Sequence, residues 1–171
     1  GGLTTLYTVP FPALNANDTP SGQPITGTAV YLGGLAIDTA TGELYFAQSA
    51  QNWQSGDYVP ADIGIYKISI TGGAPTLVAG GTTAGLSSPL YMTLDTADNL
   101  IFFDDSIVAD GRFPAVDNLD VANLTTGAVT VLQSFNTIDP NFLRLQGLAI
   151  DTANSTLYLT AVDYNTSSDN A

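Results

Sequence analysis

The chemistry open to this chain is carried by oxygen. Its 171 residues hold no cysteine and no histidine, and 16 Asp and Glu stand against three Lys and Arg, namely Lys67, Arg112 and Arg144. Thiolate nucleophiles, disulfides, the usual zinc ligand set and imidazole acid–base catalysis are therefore excluded. The stretch densest in candidate ligands is Asp104-Asp105-Ser-Ile-Val-Ala-Asp110-Gly-Arg112-Phe-Pro-Ala-Val-Asp117. Asp104, Asp105, Asp110 and Asp117 are hard oxygen donors of the kind that hold calcium. The spacing is not that of an EF-hand, and an acidic, solvated loop is the preferred reading of the same residues. Paired carboxylates are the remaining route to acid–base catalysis. No pair is singled out by spacing, so no catalytic residue is assigned and no enzyme is expected.

Two aromatic residues, Trp53 and Tyr58, stand in a polar stretch. They could form a stacking platform for a sugar ring or anchor their loop. Asn17, Asn123, Asn154 and Asn165 each begin an Asn-x-Ser/Thr sequon, the acceptor pattern for glycan attachment. In a chain rich in Ser and Thr such patterns also arise by chance.

The net charge of −13 narrows the partners. A phosphate backbone needs clustered cations, so nucleic acid is not expected. No apolar run reaches the roughly 18 residues of a membrane helix, so no membrane insertion is expected. An acidic surface keeps a chain soluble and draws cations. Abundant Thr, Gly, Asn and Asp with a single Lys lean towards an extracellular or cell-surface location.

The elements that position these residues come from a repeat. Gly34-Leu-Ala-Ile-Asp-Thr-Ala-Thr-Gly-Glu-Leu-Tyr-Phe-Ala47 returns as Leu90-Tyr-Met-Thr-Leu-Asp-Thr-Ala-Asp-Asn-Leu-Ile-Phe-Phe103. It returns again as Gly147-Leu-Ala-Ile-Asp-Thr-Ala-Asn-Ser-Thr-Leu-Tyr-Leu-Thr160. The anchoring Asp38, Asp95 and Asp151 lie 57 and 56 residues apart. Each copy is an apolar run, an Asp-Thr-Ala turn and a second apolar run, the pattern of a β-hairpin. The aspartates are expected to cap these turns by accepting backbone N–H bonds. Two further strands follow each of the first two hairpins, at 63–70 and 75–79 in the first unit and at 118–124 and 129–133 in the second. Gly1-Gly2-Leu-Thr-Thr-Leu-Tyr-Thr8 matches the fourth strand of a unit and its preceding turn, as Gly72-Gly73-Ala-Pro-Thr-Leu-Val-Ala79 does. No segment carries a helical apolar period, so the fold is expected to be all-β.

Four-stranded antiparallel units at this period point to β-propeller-type blades, in about three repeats of 56–57 residues. The strands are apolar on both faces, as in Ile-Tyr-Lys-Ile68, which suits a sheet covered on both sides. The succession Gly-Leu-Ala-Ile-Asp, Leu-Tyr-Phe-Ala, Ile-Tyr-Lys-Ile and Gly-Gly-Ala-Pro-Thr-Leu resembles the YWTD/NHL/SMP-30 group of six-bladed propellers. The resemblance spans the chain except residues 9–33. It departs from the YWTD pattern at Phe46-Ala47-Gln48 and Leu159-Thr160, and the SMP-30 metal set of Glu, Asn and Asp is absent.

The organisation read this way is a terminal fourth strand with a long Pro/Asn/Thr-rich connection over 1–33, and a blade over 34–79. A second blade covers 90–133. The first two strands of a third, with a polar tail, cover 147–171. Such a set belongs to a larger propeller or to an open array. Long connections at 9–33, 48–62, 80–89, 104–117, 134–146 and 161–171 gather on one face, where recognition usually lives. The expectation is a non-enzymatic extracellular structural or interaction protein that assembles with copies of itself as a filament or surface array, or with adjoining repeats. A calcium- or glycan-binding propeller module and an SMP-30-like metal-dependent hydrolase are the alternatives.

Overall fold

The apolar–turn–apolar pattern folds into ten strands in the computed structural model, which describes residues 5–6, 28–52, 63–81, 84–108, 114–135 and 143–163. They are β1 (Thr28–Asp38), β2 (Glu43–Asn52), β3 (Gly64–Ser69), β4 (Thr76–Gly80) and β5 (Pro89–Asp95), followed by β6 (Leu100–Val108), β7 (Pro114–Asn123), β8 (Val129–Ser134), β9 (Leu143–Asp151) and β10 (Thr156–Asp163). Among the described residues there is no helix. The strands form antiparallel sheets in chain order, β1-β2-β3-β4, β5-β6-β7-β8 and β9-β10.

The three hairpins close by the same local chemistry. Asp38 Oδ1 accepts from the N–H groups of Ala40 (2.9 Å) and Thr41 (3.3 Å). Asp95 Oδ1 does so from Ala97 and Asp98, and Asp151 Oδ1 from Ala153 and Asn154. The last turn residue has positive φ each time: Gly42 (70°), Asn99 (55°) and Ser155 (50°). Glycine and asparagine adopt that conformation readily, whereas serine adopts it at a cost.

Each hairpin also carries a bulge at the same place. Register slips between Leu32 and Leu35, between Pro89 and Met92, and on the β10 side between Thr160 and Ala161. Two residues of the first strand therefore oppose one of the second: Gly33-Gly34 face Ala47, Leu90-Tyr91 face Asp104, and Gln146-Gly147 face Thr160. The extra residue turns a backbone N–H away from the ladder and leaves it needing a partner.

The sheets stack through their first strands, with β1 against β5 and β5 against β9. Approach is close at the first bulge. A Cβ on Gly33 would lie 2.9 Å from Leu90 Cα, and one on Gly34 would collide with the Leu90 carbonyl oxygen. Tyr45, Ala47, Ile63 and Ile65 of the first sheet pack with Met92, Ile101, Phe103 and Ala122 of the second. The opposite face of the second sheet places Leu119, with Phe135, against Leu145, Leu148 and Leu157 of the third. The middle sheet is thus covered on both faces, as its two-sided apolar strands predict.

Several strands extend beyond the sequence reading. β1 begins at Thr28, inside the stretch read as a connection, and β6 runs on to Val108 rather than stopping at Phe103. β7 begins at Pro114, so the connection read as 104–117 shrinks to 109–113. Aspartate is disfavoured in strands, and the run of acids masked the continuation.

Candidate functional site

Asp104, Asp105, Asp117 and Asp120 lie within β6 and β7, and all four are buried, at 0–2% exposure. The reading of Asp104, Asp105 and Asp117 as a solvated acidic loop is corrected by this placement. Their carboxyl groups are tolerated because backbone donors that strand pairing leaves over are aimed at them.

Asp104 sits opposite the second bulge, and its Oδ1 accepts from the Tyr91 N–H at 2.5 Å. Asp105 holds the connection into β5: its Oδ1 accepts from Ser87 N–H at 3.0 Å and Ser88 N–H at 2.6 Å, and its Oδ2 from Ser87 at 3.1 Å. Asp117 bridges sheets: its Oδ1 accepts a short bond from the Ser106 hydroxyl, and its Oδ2 accepts from the Leu145 N–H of β9 at 2.8 Å. At the repeat-equivalent places the first sheet has Ala47, Gln48 and Ile63. The acids are thus particular to the middle sheet.

The cluster is divided between two faces by the strand alternation. Asp104 and Asp117 lie on the side of the third sheet, whereas Asp105 and Asp120 lie on the side of the first. Asp104 Oδ2 and Asp120 Oδ1 are buried without a hydrogen-bond partner. Burial is the main cause that raises all three shifted carboxyls. It lifts Asp104 to about 7, helped by the nearby charges of Asp117 and Asp105 and opposed by the Tyr91 bond. It lifts Asp120 to about 7, with Asp105 adding to the effect. It lifts Asp105 to about 6, opposed by the Ser88 and Ser87 N–H groups. A buried carboxyl whose oxygen lacks a donor favours the protonated form.

These groups can hold protons and bind backbone, but they do not converge on a cation. Among the described residues no group of three or more acidic side chains could hold a metal ion. Both oxygens of Asp105 and both of Asp117 are already committed to protein donors, and the alternation separates Asp104 from Asp105. Asp110 lies outside the described residues, as do Trp53, Tyr58, Asn17 and Asn165. Asn123 Oδ1 caps the β7–β8 turn by accepting from Thr125 and Thr126 N–H groups. Asn154 stands in the exposed β9–β10 turn, and its Nδ2 donates to Asp151 Oδ2 at 2.7 Å. Asp38 and Asp151 lie below the ordinary carboxylate range, held there chiefly by the side-chain bonds from Thr41 and Asn154 respectively.

Asp120 escaped the sequence reading. The signal is register: opposite Phe103 it must enter the core between the first two sheets, whichever polarity it has. A groove of about 490 Å³ runs between the outer rims of the first two sheets, where Leu77 and Gly80 of β4 face Thr126 and Val129. No acidic side chain lines it.

The outer faces of the stack are apolar. On the first sheet Leu35 and Ile37 are exposed, and Phe46 stacks on Tyr66 with ring centroids 5.8 Å apart. On the third sheet Tyr158 and Val162 are exposed. No protein-family model matches the chain, and no curated protein matches it.

Proposed function

We propose that the chain is a non-enzymatic structural and interaction module of propeller-type blades, acting outside the cell or at its surface. Its uncovered sheet faces engage further sheets of the same kind, in other copies of the chain or in a larger array. The observation that carries this reading is the repeat-equivalent stacking of β1, β5 and β9, which covers the middle sheet twice and leaves exposed apolar residues on both flanks, Leu35 and Ile37 on one and Tyr158 and Val162 on the other. Exposed contiguous apolar surface on a soluble chain marks an association site. The resemblance of the blades to the YWTD/NHL/SMP-30 group supports the same architecture.

Catalysis is disfavoured by access. The four clustered carboxyls are buried among strands, and a general acid or base must come within hydrogen-bond reach of a substrate. The test is sedimentation velocity across a range of protein concentrations, with and without a calcium chelator. Concentration-dependent association that ignores the chelator is expected. Loss of association or of folding on chelation would transfer the reading to a calcium-binding module. A folded monomer at every concentration would overturn the scaffold reading.

A further inference from the structure

The three hairpins correspond residue for residue in spacing and register, so each position can be compared when covered and when open. Take the face each sheet turns towards the next one along the chain. Tyr45 on the first sheet, Phe102 on the second and Tyr158 on the third are equivalent, each seven residues after its capping aspartate. Tyr45, covered by the second sheet, is 7% exposed, whereas Tyr158, with no sheet beyond it, is 59% exposed.

The face each sheet turns towards the preceding one behaves the same way. Leu35, Met92 and Leu148 are equivalent, each three residues before its aspartate. Met92, covered by the first sheet, is 8% exposed, and Leu148 packs in the cluster around Leu145. Leu35 is 64% exposed, and Ile37 beside it 53%. The chain therefore contains two joints of one kind, each a forward face on a backward face. It leaves over one forward face and one backward face, the latter open at Leu35 and Ile37 and closed at Phe46 and Ile68, both 3% exposed.

Charge selects the same two surfaces. The open forward face presents Ala149, Tyr158, Thr160 and Val162, and the open backward face presents Leu35, Ile37 and Leu44. Asp151, paired with Thr156 at the turn end of the forward face, is the one acid on these two hairpin faces, although the chain carries a net charge of −13. Two such chains repel one another wherever their carboxylates meet, so faces poor in acids are where they can come together.

Building on the scaffold reading above, we propose that copies of this chain join head to tail: the Tyr158 face of one copy packs on the Leu35–Ile37 face of the next, repeating the internal joint. The contact is heterologous. It closes into a ring or propagates as an open array according to the rotation per copy.

The test uses the full chain with Leu35→Asp and Tyr158→Asp, two exposed positions where the fold tolerates a polar side chain. Circular dichroism and urea midpoints first confirm that both variants fold as the parent does. Each single variant loses one of the two faces and should self-associate at least about 30-fold more weakly, the effect of losing a central interface contact. An equimolar mixture should form a 1:1 complex, because Leu35→Asp keeps the Tyr158 face and Tyr158→Asp keeps the Leu35 face. Dimers of Leu35→Asp alone would mean that Tyr158 faces pair with each other, which overturns the head-to-tail contact and leaves the scaffold reading intact. Association unchanged by either variant would also overturn it, by placing the contact elsewhere. A wild-type chain that never associates would overturn both.

Discussion

Replacing Asp104 by asparagine should make the protein more stable at mildly alkaline pH and flatten its pH dependence. The carboxyl is wholly buried, one oxygen accepts the Tyr91 N–H, and the other has no partner. Its pKa stands at about 7 in the folded chain against an ordinary 3.8. A carboxyl raised on folding stabilises the fold below its unfolded pKa, and that contribution is lost as pH rises through the folded value. Between about pH 5 and pH 7 each unit removes about 1.4 kcal/mol, so Asp104 alone weakens the fold by roughly 3 kcal/mol on going from about pH 5 to about pH 8. Asparagine keeps the acceptor for Tyr91 and carries no charge, so the variant escapes this loss at the cost of a buried amide N–H. Urea midpoints or thermal melts at the two pH values measure it. For a chain of this size a difference of that order moves the melting midpoint by about 6–12 °C. The wild type should melt higher at the acidic value, and Asp104→Asn should show the smaller difference. Asp38 and Asp151 act oppositely, but their lowered pKa values place their influence below this window. Equal pH dependence in the two proteins, or a variant weaker than the parent at about pH 8, would refute the assignment of a buried, ionising carboxyl to this position.

The remaining expectations concern packing, the turns and association. Phe103→Ala, at a fully buried position between the first two sheets, should cost about 3–5 kcal/mol in urea denaturation, while Asp98→Ala in an exposed turn should change little. Gly34→Val should loosen the first sheet from the second, since its side chain would meet the Leu90 carbonyl; enhanced amide exchange in β1 and β2 would report it. Asp151→Ala removes acceptors for two N–H groups and should cost on the order of 1 kcal/mol in the same denaturation assay. Added salt should strengthen self-association by screening the acidic surfaces, and sedimentation at low and high ionic strength checks this.

The sequence by itself determined the local architecture. A hairpin is specified by nearest neighbours: Asp38, Asp95 and Asp151 cap from within four residues, and the alternation on either side sets which face goes inward. The 56–57-residue period therefore displayed the hairpins, their order and the all-β character directly. It also implied sheets covered on both faces, because Ile101 and Phe102 are both apolar and point opposite ways. What only the tertiary structure decided was where the acids go. Aspartate in a run such as Asp104-Asp105 reads as loop because its local preference is for turns and water. That preference was overridden by N–H groups on other segments: Tyr91 at a bulge, Ser87 and Ser88 in a connection, and Leu145 on the next sheet. These donors stand between 13 and 28 residues away in sequence, so no local window contains both partners. The bulges were hidden for the same reason, since a bulge is a relation between two strands. Exposure of Leu35 and Tyr158 was likewise undecidable from the repeat, which assigns them the same character as their buried equivalents. Which copies of a repeated residue are covered depends on the stacking of whole sheets, and only the folded chain sets that.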